Sequence, residues 1–311
     1  MAFLIVCMGL FTGDWRIETD ATVVVRDGKN TKKEEVRQEI LATEKRVYVK
    51  NLVRRGDNYF PGNEFVFDFE NGKVYTALSF SKEYFVFEMD LLKHMWARRV
   101  EWWRKKLEQE KAFVMRIPDP GRRLNEEAKW AERWKKIEKF LKSSEPKKVE
   151  TKREKVDGKI DGHEVEKVSI TADGRKVIEA LVAKDVKVPE KFCKALAAMS
   201  NAPRKVQAAI AALGGLPLRY SQKTVVGATV ETKKFSVRSV KEEKFDEKAL
   251  SLPADYSEVK DAPYVKTLKD LARREKASGG GKKENGKDEK PDGAGGKEEP
   301  SKAPDEEPGV K

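Results

Sequence analysis

GGLPLRYSQKTVVGATVETKKFSVRSVKEEKFDEKALSLPADY, residues 214–256, is the stretch on which the fold turns. Gly214 and Gly215 stop a helix, and Leu216-Pro217-Leu218 leaves in extended form. Two β-rich runs follow, 218–226 and 228–240, separated by the turn residue Gly227. In the second, Thr229, Glu231, Lys233, Phe235 and Val237 share one face, and Val230, Thr232, Lys234, Ser236 and Arg238 the other. A mostly polar, two-faced alternation suits an antiparallel sheet better than a buried parallel one. Phe245, Leu250, Leu252 and Tyr256 then read as apolar plugs that pin the last edge of the sheet.

Working outward, the same period of two recurs on both sides. Strands are expected at 14–26, 36–41 and 45–52, with Val47 and Val49 on one face and Tyr48 on the other. The run at 64–70 is the clearest: Phe65, Phe67 and Phe69 point one way, Val66 and Asp68 the other. Asn71-Gly72 signals a two-residue hairpin into 73–78, and 84–88 follows. Strands linked this tightly are antiparallel neighbours. Further strands are expected at 164–171 and 176–183, joined by Ala172-Asp173-Gly174, after a turn-rich entry at 158–162.

Between the two groups of strands the period changes. Leu92, Trp96, Val100, Trp103 and Leu107 recur at helical spacing, IPDPG at 117–121 breaks the run, and a second helix capped near Asn125 carries Trp130, Trp134, Ile137 and Leu141. Residues 143–155 read as a charged linker. A later helix begins at Pro189 with the stripe Phe192, Leu196 and Met199, is interrupted at 200–203, and continues through Val206, Ile210 and Leu213.

The ends differ from this body. Residues 1–11, MAFLIVCMGLF, are apolar but shorter than the roughly 20 residues that cross a bilayer. Their length fits the apolar region of an export signal, although the basic flank is missing and 11–13 makes a poor cleavage site. A plain first strand and a lipidated Cys7 are the alternatives, the latter disfavoured by Val6. After a short helix near residue 263, the chain from Ala277 onward is almost wholly Gly, Lys, Glu, Pro, Asp and Ser, and is expected to be a disordered tail. About 260 residues remain, enough for one core that hides about 70–75% of the unfolded surface.

With 65 Lys and Arg against 53 Asp and Glu, the net charge is +12, concentrated between Arg98 and Arg153. That favours an anionic partner such as a membrane surface, an acidic envelope protein or nucleic acid. Two cysteines, Cys7 and Cys193, allow neither a disulfide framework nor a zinc spacing. Only His94 and His163 are present; His94 reads as a surface residue and His163 as a strand-start residue with no evident partner. No nucleophile elbow, phosphate loop or dinucleotide fingerprint occurs.

The order of VYVKN at 47–51, the hairpin at 64–78, KEYFVF at 82–87, GKIDGHEVEKV at 158–168, the segments 176–185 and 192–199, GGLPL at 214–218 and LPADY at 252–256 resembles an uncharacterised family of exported bacterial proteins with a LolA-like fold. The resemblance implies an α+β architecture: a strongly curved antiparallel sheet, an incomplete barrel, with helices covering its concave side. That domain would span 14–262, with a helical hairpin inserted at about 89–142. Two departures stand out: the long, tryptophan-rich helical segment, and His163-Glu164-Val165 where the family strand often holds Cys.

Three functions fit these features. The first is an exported, non-enzymatic binding protein whose hydrophobic cavity is lined by Phe65, Phe67, Phe69, Trp96, Trp103, Trp130 and Trp134, with a lipid or lipoprotein acyl chain as ligand and no cofactor or metal. The second is an envelope interaction module with a filled core and a basic helical hairpin. The third, supported by charge alone, is a cytosolic nucleic-acid binder.

Overall fold

The structure, a computed structural model, describes residues 14–27, 30–142, 145–186, 190–226 and 229–279, with side chains except at 139–142, 190–192, 196 and 278–279. The export signal expected at 1–13, the turn residue Gly227, the helix start at Pro189 and the tail from 280 on lie outside the described residues, as do the side chains of Leu141, Phe192 and Leu196; residues 277–279, expected to open the tail, are still helical.

β1 (Trp15–Asp27) and β2 (Asn30–Ala42) form a long hairpin paired through to Asp27 and Asn30. β3 (Arg46–Arg55) and β4 (Asn58–Asp68) follow, and both outrun the apolar runs that mark them because a tight turn at Gly56 (φ 60°) continues the pairing through polar residues. β5 (Lys73–Leu78) and β6 (Glu83–Glu88) complete this half. The β4–β5 connection is longer than a two-residue turn. Asp68 pairs with Lys73 across residues 69–72, and Asn71 donates from its backbone N–H (2.9 Å) and side-chain amide (2.9 Å) to the Asp68 carboxylate.

A 3₁₀ turn (Met89–His94) leads into α1 (Met95–Val114) and α2 (Pro120–Lys142). α2 starts at Pro120, before the expected cap at Asn125, because proline is pre-set for the first helical turn. The expected linker at 143–155 is instead largely strand: β7 (Val149–Ile160) is a charged edge that pairs with β8 (His163–Ala172). Its outer face is solvated, which is why it carries no apolar alternation. β8 turns into β9 (Arg175–Ala183) at Asp173 (φ 49°) and Gly174 (φ 75°), both left-handed as a two-residue hairpin requires. α3 (Glu190–Met199) and α4 (Arg204–Ala211) precede β10 (Leu216–Val226) and β11 (Thr229–Glu242). A 3₁₀ turn (Glu247–Leu250), β12 (Ser257–Glu258) and α5 (Pro263–Gly279) end the described chain.

All twelve strands join one open sheet in the order β12-β6-β5-β4-β3-β2-β1-β11-β10-β9-β8-β7. Every pairing is antiparallel except β12 with β6. The strands before and after the helical hairpin therefore belong to a single layer, joined through β1 and β11.

One face of that layer carries the helices. Ile17, Ile40, Val49, Phe65, Phe67, Val74 and Phe87 pack with Leu92, Met95, Ala198, Met199, Val265 and Leu268. Further along the same face, Ala21, Val23, Val36, Ile170, Ile178 and Phe235 pack with Val206, Ile210 and Leu213. Leu268 is fully buried, so α5 is part of the core. On the opposite face, Leu41, Tyr48 and Val66 meet Leu250, Phe245 and Leu252. Those plugs cover the back of β2–β4, whereas the expectation had them at the edge. The edge itself is closed by β12, and Tyr256 donates its hydroxyl to Glu64 at 3.1 Å.

Candidate functional site

An opening lies between the 3₁₀ turn and the pair α3–α4, a groove of about 1190 Å³. Its width follows from composition. Ala195, Ala197 and Ala198 of α3 and Ala208, Ala211 and Ala212 of α4 or its end line one wall, where longer side chains would close the gap. Met89, Leu91, Leu92 and Phe69 also line the groove. Phe69 can do so because it stands in the loop after β4, stacked at 6.5 Å on Phe67, instead of within a strand. Glu88, Asp90, Lys93, Lys194 and Arg204 ring the mouth.

The groove is held at one end by charges. Arg204 Nη2 meets Glu275 Oε1 of α5 at 2.6 Å, and Glu275 Oε2 lies 3.4 Å from His94 Nδ1. His94 is buried, contrary to the surface position expected from its basic neighbours. Burial pushes its pKa below the usual histidine value, with Glu275 opposing the shift. The N-terminus of α4 is capped from outside, Glu145 accepting from the Arg204 backbone N–H at 2.8 Å.

Beside the groove the helix-covered face of the sheet contains a polar belt. Thr19, Gln38 and Asn51 are hydrogen-bonded in series, Thr19 to Gln38 at 3.2 Å and Gln38 to Asn51 at 2.6 Å. In β11, Glu231 and Lys233 point inward. Glu231 receives Arg99 of α1 at 2.6 Å and Lys233 at 3.2 Å, and Lys233 also donates to the Ser200 carbonyl at 3.1 Å.

The seven aromatic residues expected to line a cavity separate. Phe65 and Phe67 are buried in the core under the 3₁₀ turn and α5, and Phe69 lines the groove. Trp96 lines a second hollow of about 480 Å³ with Ala202, Val206 and Gln222. Trp103 is buried and meets Trp102 edge-on at 5.0 Å. Trp130 and Trp134 stack at 5.4 Å on α2, and Trp130 Nε1 donates to the Leu107 carbonyl of α1 at 3.1 Å, so this pair clamps the helical hairpin. The alanine wall was missed; its signal was the run of small residues at 195–212, read as ordinary helix.

Cys193 is buried, and among the described residues no three of His, Cys, Asp and Glu are grouped to hold a metal ion. His163 has a partner the sequence did not suggest, Asp185, with Nδ1 3.0 Å from its carboxylate across the β8–β9 end. Among the described residues no helix is long and apolar enough to cross a membrane.

No family model matches this chain, and no curated protein does. Among solved structures it is similar to a LolA superfamily protein from Nitrosomonas europaea, at 6% identity over 78% of this chain and 92% of that one, with a TM-score of 0.27. A DUF1329 family protein from Desulfovibrio piger shares 11% identity over 77% and 92%, with a TM-score of 0.25. Its structural neighbours are thus LolA superfamily and DUF1329 family proteins. PNGF-II also matches, at 12% identity over 81% of this chain with a TM-score of 0.31, and the chain spans about a third (32%) of it.

Proposed function

We propose that this protein is an exported, non-enzymatic carrier or binding protein that holds an acyl chain, of a lipid or a lipoprotein, in the alanine-walled groove. The observation that carries the reading is the groove: about 1190 Å³, open at the surface, with mostly apolar walls to which Gln207 is the polar exception, and with its charged residues all exposed. Each methylene buried there gains about 0.8 kcal/mol, so an apolar cleft is sufficient without catalytic groups. Lys93, Lys194 and Arg204 at the mouth suit an anionic head. The sequence resemblance to LolA-like exported proteins points the same way, and a curved sheet is part of the proposal.

The test is titration of the protein with a dansyl-labelled fatty acid, beside the variant Ala208→Trp. Ala208 is exposed on the groove wall, so an indole there fills the space without entering the core. Displacing about four methylenes costs roughly 3 kcal/mol, about two-hundredfold in Kd. A wild type that does not bind the probe, or a variant that binds it equally well, rejects the groove as the site.

A further inference from the structure

We infer that the tip of the α1–α2 hairpin is a membrane-docking element that inserts apolar side chains into an anionic bilayer. The hairpin is fixed at its base: Arg99 pairs with Glu231, Arg133 reaches Asp27 at 3.8 Å, and Trp103, Leu107 and Ile137 are buried. Its far end is different. Not one residue from 111 to 124 is buried, and the large apolar side chains stand in water: Phe113 is 74% exposed, Leu124 65% and Met115 55%. Nothing in the fold requires apolar residues there, and their exposure costs solubility.

Charge identifies the occupant. Residues 95–142 hold 15 Lys and Arg against 8 Asp and Glu, a net +7 of the chain's +12. At the tip Arg116 and Arg122 are exposed and make no ion pair among the described residues. Further up α1, Lys106 lies 5.6 Å from the ring of Trp102, which is 53% exposed. Apolar wedges among cations, with an indole nearer the base, are the composition of an interfacial helix on anionic lipid. A specific protein interface needs about 1,200–2,000 Å² of matched surface, more than a convex tip of this size offers, whereas a bilayer adapts to it. The inference is independent of the groove.

Flotation with vesicles of phosphatidylcholine containing about one-third phosphatidylglycerol tests it. The wild type is expected to bind these vesicles and to bind pure phosphatidylcholine at least tenfold more weakly. Phe113→Ser/Met115→Ser/Leu124→Ser is expected to lose at least tenfold in affinity for the anionic vesicles. Arg116→Glu/Arg122→Glu is expected to lose more, each cation being worth about fivefold. All five positions are exposed, so both variants should keep the wild-type circular dichroism and Tm. Hydrogen exchange at 111–119, slowed only on anionic vesicles, is a readout that needs no variant. Three results would overturn the inference: no binding by the wild type, binding unaffected by the apolar triple variant (a purely electrostatic contact), or a tip-dependent dimer in place of vesicle binding.

Discussion

Glu231→Gln should be one of the most damaging single-atom-scale changes in this protein. The side chain is 7% exposed and stands between two cations, Arg99 at 12% and Lys233 at 2%. Burial pushes Lys233 down to about 8, with Glu231 pulling in the other direction. Burial likewise works against the Glu231 carboxylate, but Lys233 and Arg99 hold it below the usual range. Removing its charge leaves two like charges enclosed, and breaking a buried pair in this way costs about 3–5 kcal/mol. For a chain of this size that is about 10 °C in Tm. Lys233→Met should behave differently. It leaves the Arg99–Glu231 pair intact and removes the most deeply buried charge of the three, so the cost is expected within about 1 kcal/mol. The pH dependence has a sign. Between pH 8 and about 10.5 the unfolded lysine holds a proton that the folded one has released, so stability rises with pH across that window, and Lys233→Met flattens the rise. Urea unfolding followed by circular dichroism at pH 7 and at alkaline pH reads all three. Equal losses for Glu231→Gln and Lys233→Met, or a loss below about 1 kcal/mol for the former, would refute the reasoning.

Four further outcomes are expected. Gly215→Ala places a Cβ 2.2 Å from the Ala183 carbonyl oxygen and 2.8 Å from Val182 Cγ1, so urea unfolding should show a loss of about 3 kcal/mol or more. Gly214→Ala, at φ +73° with no neighbour closer than the Ala212 carbonyl oxygen at 3.9 Å, should lose only about 1–2 kcal/mol. Phe67→Ala, at a fully buried ring, should lose about 3–5 kcal/mol by the same assay. For His94, whose folded pKa lies below 6.5, the unfolded chain binds the extra proton, so stability falls as the solution is acidified through 6.5. Hydrogen exchange in α5 should therefore quicken below that pH, and His94→Phe should abolish the change.

Much of the sheet was legible because its strands alternate cleanly. Val47, Val49, Phe65 and Phe67 do face the helices, while Tyr48 and Val66 face the back. The polar continuations of β2, β3 and β4 and the edge strand β7 were not, since strands paired in solvent have no apolar period to read. β11 shows a subtler limit. Its alternation was seen as two-faced and mostly polar, with nothing to mark the face bearing Glu231 and Lys233 as the buried one; it is buried because Arg99 arrives from a helix 132 residues away to neutralise it. Gly215 read as half of a helix stop; Gly214 alone is left-handed, and Gly215 is needed for its close approach to β9. At the candidate groove, Phe69 lines the space from a loop, where strand parity had placed it within the strand. The alanine wall escaped notice because alanine is the default helix former and carries no sign of what it leaves open.

The most direct test of the groove is where a fatty acid sits. Stearic acid bearing a nitroxide along its chain, added to protein with isotope-labelled alanine methyls, should broaden Ala195, Ala198, Ala208 and Ala211 selectively, with recovery on reduction of the label. Sharp signals at those four methyls with the probe bound, or broadening only at Ala112 and Ala128 of the hairpin, would contradict the account.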